Sequence, residues 1–592
     1  NGCLVFDERY LGKPLVYCGT GGIMPSRIAG RPSHLKEILP GDLVVMTGGR
    51  IGKDGIHGAT FSSEELHEGS PVTAVQIGDP ITQKKMTDFL LKARDLGLYR
   101  CITDNGAGGL SSSVGETARL SGGCEIDLKK APLKYAGLNP WEILISESQE
   151  RMTLAVEPGK IENFLALAKK MDVEATVLGR YTDSGKFHVR YGEKTVAFLD
   201  MDFLHAGLPP MQLKAVWTPP RHPEPNFAAP GNLGEELKGM LSRLNLCSKE
   251  SVVRQYDHEV QGGSVVKPLV GAENDGPGDA AVVRPLLDSF AGIIVSNGIC
   301  PRYSDIDAYA MAACALDEAL RNAVAVGGNL KRIAVLDNFC WCDPVQSEKT
   351  PDGEYKLAQL VRANKALYEY TTAFGVPCIS GKDSMKNDYM IGDVKISIPP
   401  TLLFSALGLM EDVRKAVTMD AKRPGDLVYV LGKTRRELGG SEWFARHGFI
   451  GNGVPQVRIE EAKPLYEALS GAIDRGLIAS CHDCSDGGLG AALAETAFAG
   501  GFGLEISLKE VPAEGCERED DLLFSESASR FVVTVAPRFR KAFEKAMGRC
   551  AVGRIGVVTE APLLRVEGLS GKMVIEEPIA GLKKAWQETL AF

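Results

Sequence analysis

A long internal repeat constrains the fold of this 592-residue chain more than any other feature. Asp104-Asn-Gly-Ala-Gly-Gly-Leu110 returns as Asp483-Cys-Ser-Asp-Gly-Gly-Leu489, and Ser146-Glu147-Ser148 returns as Ser525-Glu526-Ser527, both at an offset of 379 residues. Ordered matches at one shared offset are the signature of a duplicated structural unit. The sequence therefore predicts two tandem copies of one α/β unit.

The same order of elements is predicted for each copy. A Pro-Gly turn precedes an apolar run at Asp42–Thr47 and again at Asp426–Leu431, which predicts an equivalent strand in both. Apolar positions at helical spacing predict a helix over 82–97 that stops at Gly97. The remaining predictions are strands at Arg100–Thr103, Met152–Val156 and Phe531–Val535, and helices at Leu110–Leu120 and 161–171.

A proline-rich stretch and a different kind of segment separate the copies. Seven prolines between residues 205 and 235 rule out a regular helix or central strand there, which predicts a linker. The segment over about 250–410 has no full counterpart before residue 40, so its twin is expected upstream of the first copy. Its predicted elements are helices at Ser304–Gly327, capped by Ser304 or Asp305, and Lys356–Phe374, and strands at Lys331–Leu336 and Val376–Ser380. A buried strand is also predicted at Leu15–Cys18, with partners upstream of Asn1.

Composition excludes several classes of function. Hydrophobic residues make up 44% and charged residues 24%, which are globular values, and the net charge of −9 disfavours general nucleic-acid binding. The chain has no apolar run long enough to span a membrane, and its opening residues do not resemble a signal peptide. The fourteen cysteines are scattered, so we expect reduced thiols in a cytoplasmic protein rather than disulfides or a zinc site.

Asp104 and Asp483 each end a predicted strand and open a glycine-rich loop onto a helix. Such a loop presents backbone amides to a phosphate, and the aspartate can hold a magnesium ion that bridges the phosphate oxygens. The alternative is a tight structural turn that needs glycine only for its backbone conformation.

Glu318 and Asn322 lie four residues apart on a largely apolar predicted helix, and therefore share one face. Acidic and amide groups on such a face need a partner or an ion, and Asp279 lies in a loop that could approach them. The alternative is a solvated helix stripe, supported by the neighbouring Asp317 and Arg321.

Polar groups also follow two other predicted strands. Gly381-Lys382-Asp383-Ser384 follows Val376–Ser380, and Asp337 ends Lys331–Leu336. Ligands of open α/β sheets bind outside the carboxyl ends of strands, where both groups are expected. Glu147-Ser148-Gln149 is a third polar patch, or an ordinary loop. No G-x-C-x-G elbow occurs, so nucleophilic cysteine catalysis is not supported.

Together these motifs resemble the phosphoribosylformylglycinamidine synthase family. The resemblance rests on five strings, which are Gly55–Phe61, Val75–Pro80, Asp104–Gly109, Trp141–Arg151 and Gln255–Gly263, with support from Gly381–Met385. It implies tandem aminoimidazole-ribonucleotide-synthetase-like units in an α/β (α+β) fold, in agreement with the repeat. It also implies ATP-dependent conversion of formylglycinamide ribonucleotide and glutamine-derived ammonia to the amidine through an iminophosphate.

The resemblance further implies a set of site residues, taken position by position. Substrate contacts would be Gln76, Glu147, Ser148, Gln149 and Ser384. Nucleotide contacts would be Asp337, Gly381 and Ser485. Magnesium ligands would be Asp104 and, at a second and structural nucleotide site, Asp279, Glu318, Asn322 and Asp483. Lys382 stands where some members have a metal-binding asparagine, so no metal is expected there.

The implied domains are the tail of a first amino-terminal synthetase-like domain (1–35), its carboxy-terminal partner (36–204), the linker (205–250), a second amino-terminal domain (251–412) and a second carboxy-terminal domain (413–592). The family's catalytic histidines are expected upstream of Asn1, in a missing amino-terminal segment. A separate glutaminase subunit and a small accessory subunit are the expected partners. The alternatives are a non-catalytic nucleotide-binding scaffold, and a single-unit relative such as selenophosphate synthetase, which the tandem repeat disfavours.

Overall fold

The computed structural model describes residues 3–28, 30–56, 58, 64–67, 78–257 and 259–592. It divides into two compact units. The first unit comprises Gly22–Gln212 and Met390–Asp393, and the second comprises Asn1–Gly21, Leu213–Tyr389 and Val394–Phe592. Within the described ranges, no helix combines the length and the apolar character needed to cross a membrane.

The first unit is built on one seven-stranded sheet. Its strands are β1 (Leu43–Gly48), β2 (Cys101–Asp104), β3 (Cys124–Asp127), β4 (Arg151–Val156), β5 (Ala175–Tyr181), β6 (Lys186–Tyr191) and β7 (Lys194–Asp200). Its helices are α1 (Pro80–Asp95), α2 (Gly109–Ser121), α3 (Pro140–Ile145), α4 (Ile161–Lys170) and α5 (Met201–Ala206). The strand order is β2-β4-β1-β5-β3-β6-β7. Only the β3–β6 pair is parallel.

The second unit contains two larger sheets. The six-stranded sheet has the order β8-β9-β10-β13-β11-β12. Its strands are β8 (Ser264–Val266), β9 (Ala281–Val283), β10 (Gly292–Ile299), β11 (Ile333–Cys340), β12 (Cys378–Ser384) and β13 (Thr401–Met410). The second, seven-stranded sheet comprises β14 (Leu427–Leu431), β15 (Ser480–Asp483), β16 (Gly503–Ser507), β17 (Phe531–Val535), β18 (Val552–Thr559), β19 (Leu563–Glu567) and β20 (Met573–Pro578).

Ten helices are described in the second unit. They are α6 (Leu233–Leu241), α7 (Glu250–Val253), α8 (Ala308–Ala325), α9 (Gly353–Phe374), α10 (Glu442–Arg446), α11 (Ile459–Asp474), α12 (Gly488–Gly500), α13 (Glu519–Phe524), α14 (Arg540–Met547) and α15 (Ile579–Glu588). The remaining short strands are Arg27–Ile28, Arg31–Pro32, Leu66–His67, Leu269–Val270, Gly276–Pro277, Asp388–Ile391, Val394–Ser397, Thr434–Arg435 and Ala513–Glu514.

The predicted repeat is confirmed by the topology of the two seven-stranded sheets. The order β15-β17-β14-β18-β16-β19-β20 matches the first unit strand for strand, and β16–β19 is again the parallel pair. A register shift falls at equivalent places, between Val44 and Val45 in one copy and between Val428 and Tyr429 in the other. Each of the helices α11 to α14 begins 379 residues after its counterpart in the first unit, α1 to α4 in the same order. Asp104 and Asp483 therefore end equivalent strands.

Two local predictions were wrong. The segment Leu15–Cys18 forms no strand, and Val16 is 89% exposed, because an apolar run alone does not provide strand partners. Helix α8 begins at Ala308 rather than Ser304, because Asp307 has an extended backbone and its side chain accepts the Tyr309 amide as the cap. The residues from Pro301 to Asp305 form a separate 3-10 turn.

The strands of the six-stranded sheet extend further than predicted. Strand β12 covers Cys378–Ser384, so Gly381 to Ser384 lie within the strand and not after it. Asp337 likewise lies inside β11. The two strands pair in parallel, and this pairing supplies backbone hydrogen bonds that the polar sequence did not indicate. Within the predicted linker 205–250, no regular element occurs between 207 and 232, after which α6 begins behind its Asn232 cap.

Candidate functional site

Asp104 stands at the carboxyl end of β2, where the chain turns into the glycine loop before α2. Its side chain is exposed, and Oδ1 accepts the Gly106 amide at 2.8 Å. Gly108 and Gly109 both have positive φ, 74° and 54°. A Cβ atom on Gly109 would lie 2.1 Å from the Ser146 carbonyl, so only glycine allows the two segments to approach.

The Glu147-Ser148-Gln149 segment packs against this loop. Glu147 accepts a hydrogen bond from the Gly108 amide at 3.2 Å. A second carboxylate therefore lies against the glycine loop that Asp104 opens. Ser148 is buried and accepts the Gly52 amide at 3.1 Å, while the exposed Gln149 donates to the Glu147 carbonyl at 3.0 Å. Two carboxylates beside the amides of one loop form an arrangement that can hold a cation and the phosphate it neutralises.

Asp337, Gly381 and Ser384 come together along the β11–β12 pair of the second unit. Gly381 lies opposite Asp337, and a Cβ atom there would be 2.7 Å from the Asp337 carboxylate. Because glycine has no side chain, position 381 leaves room for the Asp337 carboxylate. Ser384 is buried and accepts from the Asn387 amide group at 3.1 Å. Lys382 is exposed and donates to the Asp383 carbonyl at 3.0 Å.

Asp483 and Asp279 meet at the end of β15 in the second unit. Asp279 Oδ1 accepts the Asp483 amide at 3.0 Å and contacts His482 Nδ1 at 2.8 Å. His482 Nε2 contacts Glu495 Oε2 at 2.9 Å. One ligand atom each from Asp279, His482 and Asp483 lies within 4.8 Å of the others. The structure thus brings together two of the four residues predicted for the second metal site.

Glu318 and Asn322 lie on α8 and bond to the neighbouring strand β10. Glu318 Oε2 accepts the Ile299 amide at 2.9 Å, and Asn322 donates to the Asn297 carbonyl at 3.2 Å. Glu318 also lines a small cavity of about 20 Å³ with Ser485, Asp486 and Glu526. This volume holds a water or an ion but not a nucleotide body.

The alternative of a solvated stripe on α8 is wrong, because Asp317 and Arg321 are buried. Arg321 donates to Asp483 Oδ2 at 3.0 Å and to Asp317 Oδ2 at 2.5 Å. Asp317 also accepts from the Tyr466 hydroxyl at 2.5 Å and from the Ser529 amide and hydroxyl at 3.0 and 2.6 Å. This network fixes Asp483 against α8.

Burial perturbs the ionisable groups around this network. Burial raises the pKa of Glu318 to about 8; Arg321 opposes this shift, and the Asp486 and Asp483 carboxylates add to it. Burial alone would lower the pKa of His482, but Asp279 and Glu495 raise it well above its ordinary value. Crowded carboxylates with raised pKa values are the electrostatic signature of a site that a cation would stabilise.

The four residues that the family resemblance implies for the second metal site carry donor atoms that suit magnesium. Asp279, Glu318 and Asp483 offer carboxylate oxygens and Asn322 offers an amide oxygen, which are the hard ligands that Mg²⁺ prefers. Arg321 and His482 supply positive charge beside the same carboxylates, so the acidic cluster is partly compensated by the protein itself.

Several residues of this site were missed by the sequence reasoning. Glu526 accepts the Gly487 amide at 3.0 Å, as Glu147 does with Gly108 in the first copy. The Ser-Glu-Ser repeat could have identified it. His482 precedes Asp483 directly, but its carboxylate partners are too distant in sequence to be read from spacing. Gln76 lies outside the described residues.

The glycine loops, their carboxylates and the duplicated topology define a class of protein related to AIR synthase. The family described as "AIR synthase related protein, C-terminal domain" matches residues 40–192 and 423–568. The family described as "AIR synthase related protein, N-terminal domain" matches residues 277–410. The two carboxy-terminal matches coincide with the two seven-stranded sheets.

Relatives that match the whole chain identify the family. The phosphoribosylformylglycinamidine synthase subunit PurL of Thermoplasma acidophilum is 33% identical over 599 residues, covering 100% of this chain and 75% of the relative. The subunit of Thermoanaerobacter pseudethanolicus is 34% identical over 605 residues, covering 99% and 77%. The structure of Thermotoga maritima PurL complexed with FGAR has a TM-score of 0.62 at 25% identity, covering 88% of this chain and 72% of that one. The chain belongs to the phosphoribosylformylglycinamidine synthase subunit PurL family.

Proposed function

We propose that the protein carries out the synthetase step of its family, and that the glycine loop of the first unit supplies magnesium and substrate contacts for it. As a member of this family it is a ligase of purine biosynthesis that forms a C–N bond. It converts formylglycinamide ribonucleotide, ATP and ammonia to formylglycinamidine ribonucleotide, ADP and phosphate. The observation that carries the assignment is the Asp104–Glu147 pair on one glycine loop.

The chemistry explains why these groups are needed. ATP activates the amide oxygen of the substrate as an iminophosphate, and ammonia then displaces phosphate. Charge develops on phosphate oxygens during both steps, so the site needs loop amides and a cation instead of a covalent nucleophile. Mg²⁺ is the cation we assign to Asp104, with Glu147, Ser148 and Gln149 as substrate contacts beside it. Gln76 is assigned the same role from its sequence alone.

Nucleotide contacts are assigned to Asp337 and Gly381, and a substrate contact to Ser384. The absence of a side chain at Gly381 supports this assignment, because it keeps the strand edge open beside the Asp337 carboxylate. Lys382 adds an exposed positive charge on the same strand. A lysine can neutralise phosphate directly, so no metal is assigned there.

A second Mg²⁺ site is assigned to Asp279, Glu318, Asn322 and Asp483, with Ser485 as a neighbouring nucleotide contact. The raised pKa of Glu318 supports a bound cation, and Ser485 lines the same small cavity as Glu318. This site stabilises the second unit and takes no part in the reaction.

The relatives are named as synthase subunits, so the activity belongs to a complex. The partners we assign are a glutaminase, which supplies ammonia, and a small accessory subunit. The competing function is a nucleotide-binding scaffold without turnover.

One experiment separates synthetase from scaffold. ADP release is measured with formylglycinamide ribonucleotide, ATP, Mg²⁺ and ammonium chloride, and again with the glutaminase partner and glutamine. We expect ADP release that depends on formylglycinamide ribonucleotide in both assays. Nucleotide binding without substrate-dependent ADP release from the assembled complex would favour the scaffold.

A further inference from the structure

The second unit contains a cavity of about 610 Å³ that none of the proposed sites uses. It lies beside helix α11, the carboxyl end of α14 and the loops at Gly432 and Ser529. Its volume falls within the range of small-molecule pockets. We propose that this cavity binds an organic anion with a flat apolar body, the chemical class that includes nucleotides.

The apolar part of such a ligand would meet a hydrophobic floor. Leu465 on α11 and Met547 on α14 are 3% and 2% exposed and line the cavity, and Pro464 and Ala468 continue this surface along α11. Pro464 carries no N–H, so it cannot provide the helical hydrogen bond that the Glu460 carbonyl would otherwise accept.

The charged part of the ligand is indicated by an excess of positive side chains. Four basic residues line the cavity, against two acidic ones, Glu460 and Glu461. Arg435 is paired with Glu461 at 2.7 Å, and Arg458 with Glu437 at 2.9 Å. Arg549 is exposed and makes no ion pair with any residue that the structure describes. It is therefore the group available to an incoming anion.

Comparison of the two copies shows that this character distinguishes the second unit from the first. The equivalent cavity of the first unit measures about 850 Å³ and is lined by four basic and four acidic residues. At the shared offset of 379 residues, Lys85, Gln149 and Ala168 of the first cavity correspond to Pro464, Ala528 and Met547 of the second. The second cavity is therefore more apolar at these positions than the first, and it has a larger excess of basic over acidic residues.

The walls of the cavity are held in place without a ligand. Ser529 has a positive φ of 60°, which is uncommon for a residue with a side chain. Its amide and hydroxyl both donate to the buried Asp317, which fixes this conformation. A preformed wall reduces the ordering entropy lost on binding.

The test uses two fluorescent probes that share one ring system. 8-Anilinonaphthalene-1-sulfonate carries an anionic group, and N-phenyl-1-naphthylamine does not. We expect the full-length wild-type chain to bind one equivalent of the sulfonate, at least tenfold more tightly than the neutral amine. Arg549→Glu should weaken sulfonate binding at least tenfold and leave amine binding unchanged. Ala468→Phe, which fills the cavity, should abolish binding of both probes.

Arg538→Glu is the matched control, because Arg538 is also exposed, lies nearby in sequence and does not line the cavity. It makes the same change in net charge and should bind both probes like the wild type. The melting temperature of each variant shows whether it is folded. If one of the two cavity variants does not fold, the other still tests the proposal. Sulfonate binding that survives both cavity variants, or that Arg538→Glu weakens equally, would overturn it.

Discussion

Arg321 balances the charge of the interior of the second unit. It is 4% exposed and pairs with both Asp317 and Asp483. Removing one partner of a buried ion pair leaves an uncompensated charge, which destabilises a fold by about 3–5 kcal/mol. We therefore expect Arg321→Met to lower the free energy of unfolding by roughly that amount, measured by urea denaturation. Arg332→Met, at an exposed position, is the control and should change it by less than about 0.5 kcal/mol. Similar values for both variants would show that the pair contributes nothing.

Glu318 should make the effect of Mg²⁺ on stability depend on pH. Its pKa is about 8 in the fold against 4.5 for the unperturbed group, so its contribution to stability without metal is full below pH 4.5 and is lost as the pH rises through 8. Metal binding needs the ionised form, so affinity should rise about tenfold per pH unit below that pKa.

The measurement is the rise in melting temperature on adding Mg²⁺, which we expect to be larger at pH 8.5 than at pH 6.5. Glu318→Gln cannot ionise and should remove most of this pH dependence. An equal rise at both pH values in the wild type would exclude Glu318 as a ligand.

At the scale of elements, the glycine loops depend on close approach of two segments. A Cβ atom on Gly488 would lie 2.4 Å from the Ser525 carbonyl, and Gly488 has a φ of 64°. We expect Gly488→Ala to destabilise the second unit by at least about 2 kcal/mol. Gly471 is the matched control, because it lies inside α11 and a methyl group added there would have no atom within 4 Å.

Gly471→Ala should stabilise the protein by about 1 kcal/mol, because alanine is the better helix former. Both variants are compared by urea unfolding. A Gly488→Ala variant as stable as Gly471→Ala would mean that the loop relaxes freely and that its glycine is not required.

Sequence patterns predicted the elements that carry local signals. The Pro-Gly turns located β1 and β14, and the apolar spacing of Met86, Phe89 and Leu90 located α1, whose core face these residues form. Strand β12 was misplaced because Gly381-Lys382-Asp383 has low strand propensity and is ordered by pairing with β11. Non-local pairing of this kind cannot be read from a local window of sequence.

The candidate site could be predicted only in part, again because some of its residues have local sequence signals and others do not. The repeat singled out Asp104, Asp483 and the Ser-Glu-Ser segments, because duplicated loops preserve their sequence. The roles of Arg321 and Asp317 were not predictable, since their partners lie 162 and 212 residues away along the chain. Only the packing of α8 against β15 and the Ser529 loop brings these groups into contact.

Over the whole molecule, the two copies differ in the exposure and the bonding partner of the equivalent aspartate. Asp104 is exposed and bonded to a loop amide, while Asp483 is 5% exposed and paired with Arg321. The exposed copy can exchange ligands with solvent at each turnover, whereas the buried copy is suited to a permanent ion. This difference is consistent with our proposal that the duplicated motif serves catalysis in the first unit and stability in the second.

This division predicts that Asp104→Asn and Asp483→Asn affect different properties of the assembled synthase. Asp104→Asn removes the charge to which we assign the Mg²⁺ of the reaction, so we expect turnover to fall about a hundredfold while the melting temperature and its rise with Mg²⁺ stay unchanged. Asp483→Asn keeps the shape of the side chain but removes a carboxylate partner of Arg321 and one ligand of the second site. The melting temperature should therefore fall and its rise with Mg²⁺ should shrink, while turnover should persist at a temperature where the variant is folded. Both variants are measured by ammonia-dependent ADP release and by melting curves with and without Mg²⁺. Near-wild-type turnover in Asp104→Asn would reduce Asp104 to a turn residue, and loss of turnover in a folded Asp483→Asn protein would place the second site in the reaction.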